Sequence, residues 1–303
     1  MIKKRIEGIV PPVVTPLTAE GMLDIAALKR HHEYLLKNGV SALFVLGTTG
    51  EGPALDQRIK EEMIAQTVEN CAGRVPVLVG VSADNLDDYL KLSKFAASCG
   101  ADGIVAAPPC YLPLERNELA EFFRILTLEQ SLPLYLYNMP AMTKIEMLPD
   151  LVLEIAAMPG VAGYKDSAGN LDNFKVVAEN LKSRDDFSVF MGPDALLGKA
   201  LAAGACGGVN SGANLAPQFY VGCYKAFLAN DTAAMERCQQ GIEALQKIYY
   251  FRENICCGVA AGLKYGLQCL KIMESHLTRP ARRIESEKVI EDFAAYLAEE
   301  FKI

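Results

Sequence analysis

The sequence predicts a (β/α)₈ barrel followed by a helical carboxy-terminal appendage. Short, almost continuously apolar runs alternate with longer amphipathic segments, and eight such strand-and-helix units follow one another. Runs that are apolar on both faces are typical of parallel strands covered by helices, and a closed barrel requires eight of them. The alternative is a doubly wound open sheet, but the sequence contains no dinucleotide-binding glycine fingerprint, so we favour the barrel.

The predicted strands are short and lie between helical segments with recognisable ends. They cover residues 8–14, 42–47, 75–80, 102–107, 132–138, 161–165, 187–191 and 206–209. Three of the helices begin after an Asp or Asn and end before a glycine, which is typical of capped helices. These three cover residues 24–38, 56–72 and 85–99.

Beyond residue 215 the strand pattern stops and only helical segments follow. They cover residues 217–228, 232–251, 256–273 and 286–301, and Pro280 separates the last of them from the others. We therefore expect two domains, a TIM barrel catalytic domain over residues 1–215 and a helical domain over residues 216–303.

Composition and charge exclude several classes of function. The chain has 303 residues and a net charge of -7, with short basic clusters, so we expect neither a nucleic-acid partner nor a membrane surface. The nine cysteines contain no CxxC pair, and neither a signal region nor a run of about 18 apolar residues is present, so we expect a cytoplasmic protein.

Only three histidines occur, which argues against a histidine metal site or a Ser-His-Asp triad. We expect no metal and no organic cofactor.

The candidate chemistry lies at the carboxyl ends of the strands, where barrels of this kind carry their active sites. Strand two is followed by GTTGEG at residues 47–52, whose glycines let backbone N–H groups converge on one anion beside the hydroxyls of Thr48 and Thr49. An ordinary strand-to-helix turn with a threonine cap fits the same motif equally well.

Two further strand ends carry a tyrosine and a lysine. Tyr137, at the end of strand five, can present its phenol over the barrel mouth as an acid or base, although such tyrosines more often serve in packing. Lys165 closes strand six, and burial favours the neutral amine that attacks carbonyls, so Lys165 is a candidate Schiff-base nucleophile. The alternative is a lysine that reaches water or pairs with Asp166.

Strands seven and eight add small polar groups at the same mouth. Gly192 and Asp194 follow strand seven, and Ser211 follows strand eight; taken singly, each is a typical turn residue. Together with the anion site, the tyrosine and the lysine, they would bind the carboxylate of a 2-oxo acid, form an imine and move a proton.

Three motifs, GTTGE at 47–51, YNMP at 137–140 and GYKDS at 163–167, resemble those of the dihydrodipicolinate synthase and N-acetylneuraminate lyase family of class I aldolases. The resemblance covers essentially the whole chain. It implies that Lys165 forms a Schiff base with C2 of pyruvate or another 2-oxo acid, and that Tyr137 shuttles the proton. It also implies that Thr49 links Tyr137 to Tyr111, which family members often supply from a neighbouring subunit.

The same resemblance implies a carboxylate site and an assembly. Thr48 and Thr49 would bind the carboxylate, and the main-chain carbonyl of Val209 would lie near the imine. Family members are usually tetramers built as dimers of tight dimers, so we expect a homotetramer.

Departures from the family motifs bear on the substrate. Lysine-pathway synthases carry an Arg two residues after the proline of the Tyr-Asn-x-Pro motif, where Met142 stands here. A thioether cannot replace a bidentate guanidinium, which argues against 4-hydroxy-tetrahydrodipicolinate synthase activity. N-acetylneuraminate lyases have a Glu where this chain has Ala195 and a Thr where it has Ser167, but they resemble it at Gly192, Asp194 and Ser211.

The loop GPAL at residues 52–55 looks like the 2-keto-3-deoxygluconate aldolase branch. The expected reaction is therefore the cleavage or formation of the C–C bond between pyruvate and an aldehyde, on a 2-keto-3-deoxy sugar acid. Within the family, the alternatives are a dehydratase or hydratase-aldolase, a dihydrodipicolinate synthase or an N-acetylneuraminate lyase. Outside it, the alternative is a non-catalytic protein that binds 2-oxo acids.

Overall fold

The computed structural model describes residues 5–249 and 255–280, together with residue 295. In this part of the chain eight parallel strands form one sheet: β1 (Gly8–Ile9), β2 (Leu43–Val45), β3 (Val77–Gly80), β4 (Gly103–Ala106), β5 (Leu134–Asn138), β6 (Val161–Asp166), β7 (Ser188–Met191) and β8 (Gly207–Gly208). From β2 to β8 each strand pairs with the next one along the chain, and β8 pairs with β1.

The sheet closes between β1 and β2. The N–H of Val13 donates to the carbonyl of Phe44 at 2.7 Å, and the N–H of Phe44 donates to the carbonyl of Pro11 at 3.1 Å. No strand of the sheet is thus left with an open edge, and the prediction of a (β/α)₈ barrel is confirmed.

The predicted helices over residues 24–38, 56–72, 85–99, 217–228, 232–251 and 256–273 are present among the described residues, within a few residues at their ends. Asp24, Asp56 and Asn85 each accept a hydrogen bond from a backbone N–H of the first turn that follows, as N-caps do. The helices are α1 (Ile25–Lys37), α2 (Gln57–Cys71), α3 (Leu86–Cys99), α4 (Arg116–Glu129), α5 (Pro140–Thr143), α6 (Pro149–Ala156), α7 (Leu171–Leu181), α8 (Leu197–Ala202), α9 (Pro217–Leu228), α10 (Thr232–Tyr249) and α11 (Ile255–Cys269). The predicted helix over residues 286–301 lies outside the described residues.

Two apolar clusters organise the molecule. One fills the barrel interior and includes Phe44, Tyr135, Tyr137, Phe190 and Val209. The larger cluster lies between the strands and the surrounding helices. Because side chains alternate along a strand, Tyr135 and Tyr137 share the inner face, with Tyr137 one step nearer the carboxyl end. The barrel therefore presents Tyr137 at its mouth above a packed interior.

The helices after residue 216 are continuous with the outer core. Tyr220 of α9, Ile242 of α10 and Leu263 of α11 belong to the same apolar cluster as the helices around the barrel. The division into two domains at residue 215 stays a prediction. No helix within residues 5–249 and 255–280 is long and apolar enough to cross a membrane.

Candidate active site

Lys165 and Tyr137 face each other at the mouth of the barrel. They are register partners on β6 and β5, so the parallel pairing itself places them side by side. Lys165 is only 6% exposed, and its Nζ lies 3.9 Å from the centre of the Tyr137 ring and 5.2 Å from that of Phe44. Phe44, which the sequence reading missed, thus forms the second aromatic wall around the amine.

Lys165 is buried and does not pair with Asp166. The Asp166 carboxylate accepts a hydrogen bond from the Tyr164 hydroxyl at 2.5 Å and from the N–H of Ala168 at 2.7 Å. Burial raises the pKa of both Asp166 and Tyr164. Among the described residues, no carboxylate lies within ion-pair distance of the Lys165 amine, so the amine sits buried and unpaired against aromatic rings.

The two threonines of the turn after β2 form hydrogen bonds with different residues. Thr48 Oγ1 lies 3.2 Å from the Tyr137 hydroxyl, whereas Thr49 Oγ1 lies 2.7 Å from Ser211 Oγ. The expectation that Thr49 links to Tyr137 is therefore wrong, and Thr48 makes this contact. The physical reason is the tight turn, because consecutive side chains in it point in different directions.

Backbone contacts hold this turn in its shape. The N–H of Glu51 donates to the carbonyl of Thr48 at 3.0 Å, and the N–H of Gly52 donates to that of Gly47 at 3.1 Å. Gly52 is required for close approach, since a Cβ there would lie 1.9 Å from the Leu46 carbonyl oxygen. The turn is thus a fixed platform for the Thr48 and Thr49 hydroxyls.

Tyr111 is not brought to Tyr137 within one chain. It lies in the loop between β4 and α4 and is 84% exposed, next to Leu112 at 70%. Its neighbours Pro108 and Cys110 line the cavity above Tyr137. Its predicted role in a relay therefore depends on a second copy of the chain.

The residues after β6, β7 and β8 surround one side of the mouth. A Cβ at Gly192 would lie 2.1 Å from Ser167 Oγ, so these two are in direct contact. Asp194 is almost fully buried, and its carboxylate accepts from the N–H groups of Ser211 and Gly212 at 3.1 and 3.0 Å. In this structure Asp194 therefore holds the loop that carries Ser211.

Tyr220 completes this arrangement from α9, because its hydroxyl donates to Asp194 Oδ2 at 2.7 Å. Val209 lies in the barrel interior and is buried beside the same mouth. Direct contacts of Asp194, Ser167, Gly192, Ser211 and Val209 with a substrate stay predictions.

A cavity of about 430 Å³ opens above Tyr137, a size typical of small-molecule sites. Its lining comes from several strand ends and from the carboxy-terminal segment: Thr48, Tyr137, Met139, Met142, Asp84, Lys60 and Arg279 are among the lining residues. No group of three or more His, Cys, Asp or Glu residues in the described ranges is arranged to hold a metal ion.

A buried ion pair, which the sequence reading also missed, fixes the turn to the carboxy-terminal helices. Glu51 pairs with Lys264 of α11, and both side chains are almost completely buried. The Lys264 amine also donates to the Leu277 carbonyl at 2.7 Å, and Glu51 Oε1 accepts from the N–H of Arg279. Burial lowers the pKa of Lys264, while the Glu51 charge opposes that shift. A lysine flanked by apolar residues in GLKYG was the available sequence signal.

Replacing Lys264 with methionine is expected to destabilise the fold by about 3–5 kcal/mol, because the buried Glu51 carboxylate then has no cation to pair with. Urea unfolding at neutral pH measures the change. The matched control is Lys175→Met, which removes an exposed lysine that is paired with Asp172 and should change stability little. Equal effects of the two substitutions would contradict the importance of the buried pair.

Comparison with known proteins supports this arrangement. The model of the dihydrodipicolinate synthetase family matches residues 5–298. The chain is 31% identical to the probable 2-dehydro-3-deoxy-D-pentonate aldolase YjhH of Escherichia coli K12 over 94% of both proteins. A dihydrodipicolinate synthase structure from Bacteroides thetaiotaomicron is 37% identical, with a TM-score of 0.92 over 98% of this chain and 100% of that one.

A second solved structure shows the same architecture. The Escherichia coli K12 prophage protein YagE, solved in complex with pyruvate, is 28% identical to this chain. Its TM-score is 0.91, and the match covers 97% of this chain and 98% of YagE. The motifs, the barrel and these similarities agree: the chain belongs to the dihydrodipicolinate synthetase family.

Proposed function

We propose that the chain is a Schiff-base-forming lyase that makes or breaks a C–C bond between pyruvate and an aldehyde. The observation that carries the proposal is the Lys165 amine, buried without a carboxylate partner and 3.9 Å from the Tyr137 ring centre. An amine without a carboxylate partner can attack a carbonyl carbon, which is the first step of Schiff-base catalysis. A non-catalytic binding protein would not require a buried amine beside a phenol.

In the cleavage direction, the neutral Lys165 amine attacks C2 of the 2-oxo acid. Tyr137 gives its phenol proton to the resulting hydroxyl, which leaves as water, and a protonated imine forms beside the Tyr137 phenolate. Tyr137 removes the proton of the C4 hydroxyl, the C3–C4 bond breaks, and its electron pair neutralises the imine as an enamine. The aldehyde leaves, and Tyr137 gives the proton to C3. Hydrolysis of the protonated imine then frees pyruvate and the Lys165 amine and returns a proton to the Tyr137 phenolate. No step of this route requires a metal or an organic cofactor.

The carboxylate of the 2-oxo acid is held by the turn after β2 in this proposal. Its Thr48 and Thr49 hydroxyls can donate hydrogen bonds, and Thr48 contacts Tyr137 beside Lys165, so the substrate is oriented before reaction. Thr48 has a second role, because its contact with Tyr137 also orients the phenol.

The proposed substrate is a 2-keto-3-deoxy sugar acid. The similarity to YjhH supports it, and Met142 in the cavity lining argues against the 4-hydroxy-tetrahydrodipicolinate synthase alternative. The test is a coupled assay of pyruvate release from 2-dehydro-3-deoxy-pentonate and 2-dehydro-3-deoxy-gluconate. Release of pyruvate is the expected result. Formation of a dehydrated 2-oxo acid without pyruvate would instead indicate the dehydratase alternative.

We expect a cytoplasmic homotetramer in which each site receives Tyr111 from a neighbouring subunit. The exposure of Tyr111 and Leu112 is consistent with an interface at this loop, because contiguous exposed apolar side chains often mark one. Tyr111→Phe should then reduce kcat roughly tenfold without changing the thermal melting temperature, since only the phenol oxygen is lost. An unchanged kcat in a protein confirmed as a tetramer by sedimentation would remove Tyr111 from the relay.

A further inference from the structure

The carboxy-terminal segment supplies a cation to the wall of the cavity above Tyr137. Arg279 lines this cavity together with Thr48, Tyr137 and Met142. Its position is set by its own backbone, because its N–H donates to the buried Glu51 carboxylate. Glu51 belongs to the turn that carries Thr48, so Arg279 and the proposed carboxylate site are fixed to one another.

The Arg279 guanidinium is also supported from outside. It packs over Gly21, where a Cβ would lie 2.2 Å from Arg279 Nη2. Gly21 has a φ of +86°, so both its backbone conformation and this contact favour glycine. The guanidinium is therefore held in place by packing.

Arg279 differs in its surroundings from the other cation of the cavity wall. Lys60 lines the same cavity beside Asp84 and Asp88, whose charges partly offset the effect of burial on its pKa. No carboxylate of the described residues forms an ion pair with the Arg279 guanidinium, since Glu51 pairs with Lys264 and bonds the Arg279 backbone. Arg279 thus presents a charge that a ligand can neutralise.

We infer that Arg279 recognises an oxyanion on the aldehyde half of the substrate, a carboxylate or a phosphate. This rests on the proposed function and adds to it a preference for 2-oxo acids that carry a second anionic group at the far end. Met142, which lines the same cavity, supplies no charge. A planar guanidinium can bind either anion through two parallel hydrogen bonds.

The test measures condensation of pyruvate with two matched pairs of aldehydes. Butanal and succinate semialdehyde differ by a carboxylate, and glyceraldehyde and glyceraldehyde 3-phosphate differ by a phosphate. We expect kcat/KM to be about tenfold or more higher for the anionic member of one pair, and the pair that shows it identifies the anion. Arg279→Met should abolish this preference and change kcat/KM for the neutral aldehyde by less than about threefold.

Two controls separate recognition from structure. Arg279→Met keeps the backbone N–H that binds Glu51, and Lys60→Met removes the other wall cation and should retain the preference. Absence of an anionic preference in the wild type, or its survival in Arg279→Met, would overturn the inference. Borohydride trapping of pyruvate on the wild type and on Arg279→Met distinguishes failure of this inference from failure of the proposed function. Trapping at Lys165 without a preference for anionic aldehydes overturns the inference alone. Absence of trapping overturns the proposed function and the inference with it.

Discussion

Replacing Lys165 with alanine is expected to reduce pyruvate release by about a thousandfold or more, because no other described amine lies beside Tyr137 at the barrel mouth. The Lys165 amine makes no hydrogen bond or ion pair with the described residues, so its loss should leave folding intact. Steady-state kinetics measures the first effect, and thermal melting measures the second.

The matched control for this substitution is Lys175→Ala on α7, the helix that follows β6. Lys175 is exposed and pairs only with Asp172 three residues earlier, so activity should stay at the wild-type level. Activity of Lys165→Ala close to that of Lys175→Ala would show that the imine mechanism is wrong.

Replacing Tyr137 with phenylalanine is expected to lower kcat by about 10²–10⁴-fold, the range typical of a lost general acid or base. The ring that packs against the Lys165 amine is retained, and water can supply the proton that the phenol gives during imine formation, so the imine with pyruvate should still form. Single-turnover kinetics would separate the two steps. The contact between the Tyr137 hydroxyl and Thr48 is also lost, which adds a small effect on orientation.

Tyr135→Phe is the control for this second prediction. Tyr135 lies two residues earlier on the same inner face of β5 and is buried in the barrel interior away from the mouth. Its variant should retain kcat within a few-fold. A similar loss in both variants would indicate that barrel packing, and not proton transfer, explains the effect.

The fold was predictable from the sequence because its signals are local. Each strand is a short apolar run, and each of the three capped helices begins at a residue whose side chain bonds the first turn. Lys165 and Tyr137 could be placed at the mouth for the same reason, since a strand's carboxyl end is visible in the sequence. Their contact then follows from parallel pairing.

The rest of the site could not be predicted because it depends on non-local or finely directional contacts. Whether Thr48 or Thr49 contacts Tyr137 is decided by side-chain directions in one tight turn. The ion pair between Glu51 and Lys264 joins distant parts of the chain. The local sequence pattern around either residue does not indicate which residue it pairs with. The position of Arg279 on the cavity wall follows from a second non-local contact, the hydrogen bond from its backbone N–H to Glu51.

Borohydride trapping with pyruvate, followed by intact-protein and peptide mass spectrometry, tests the central claim most directly. A reduced pyruvyl imine adds about 72 Da to the lysine that formed it. The account predicts this increment on Lys165 in the wild type and in Tyr137→Phe, and none in Lys165→Ala. A label on any other lysine, or no label with pyruvate under conditions in which the enzyme turns over, would contradict it.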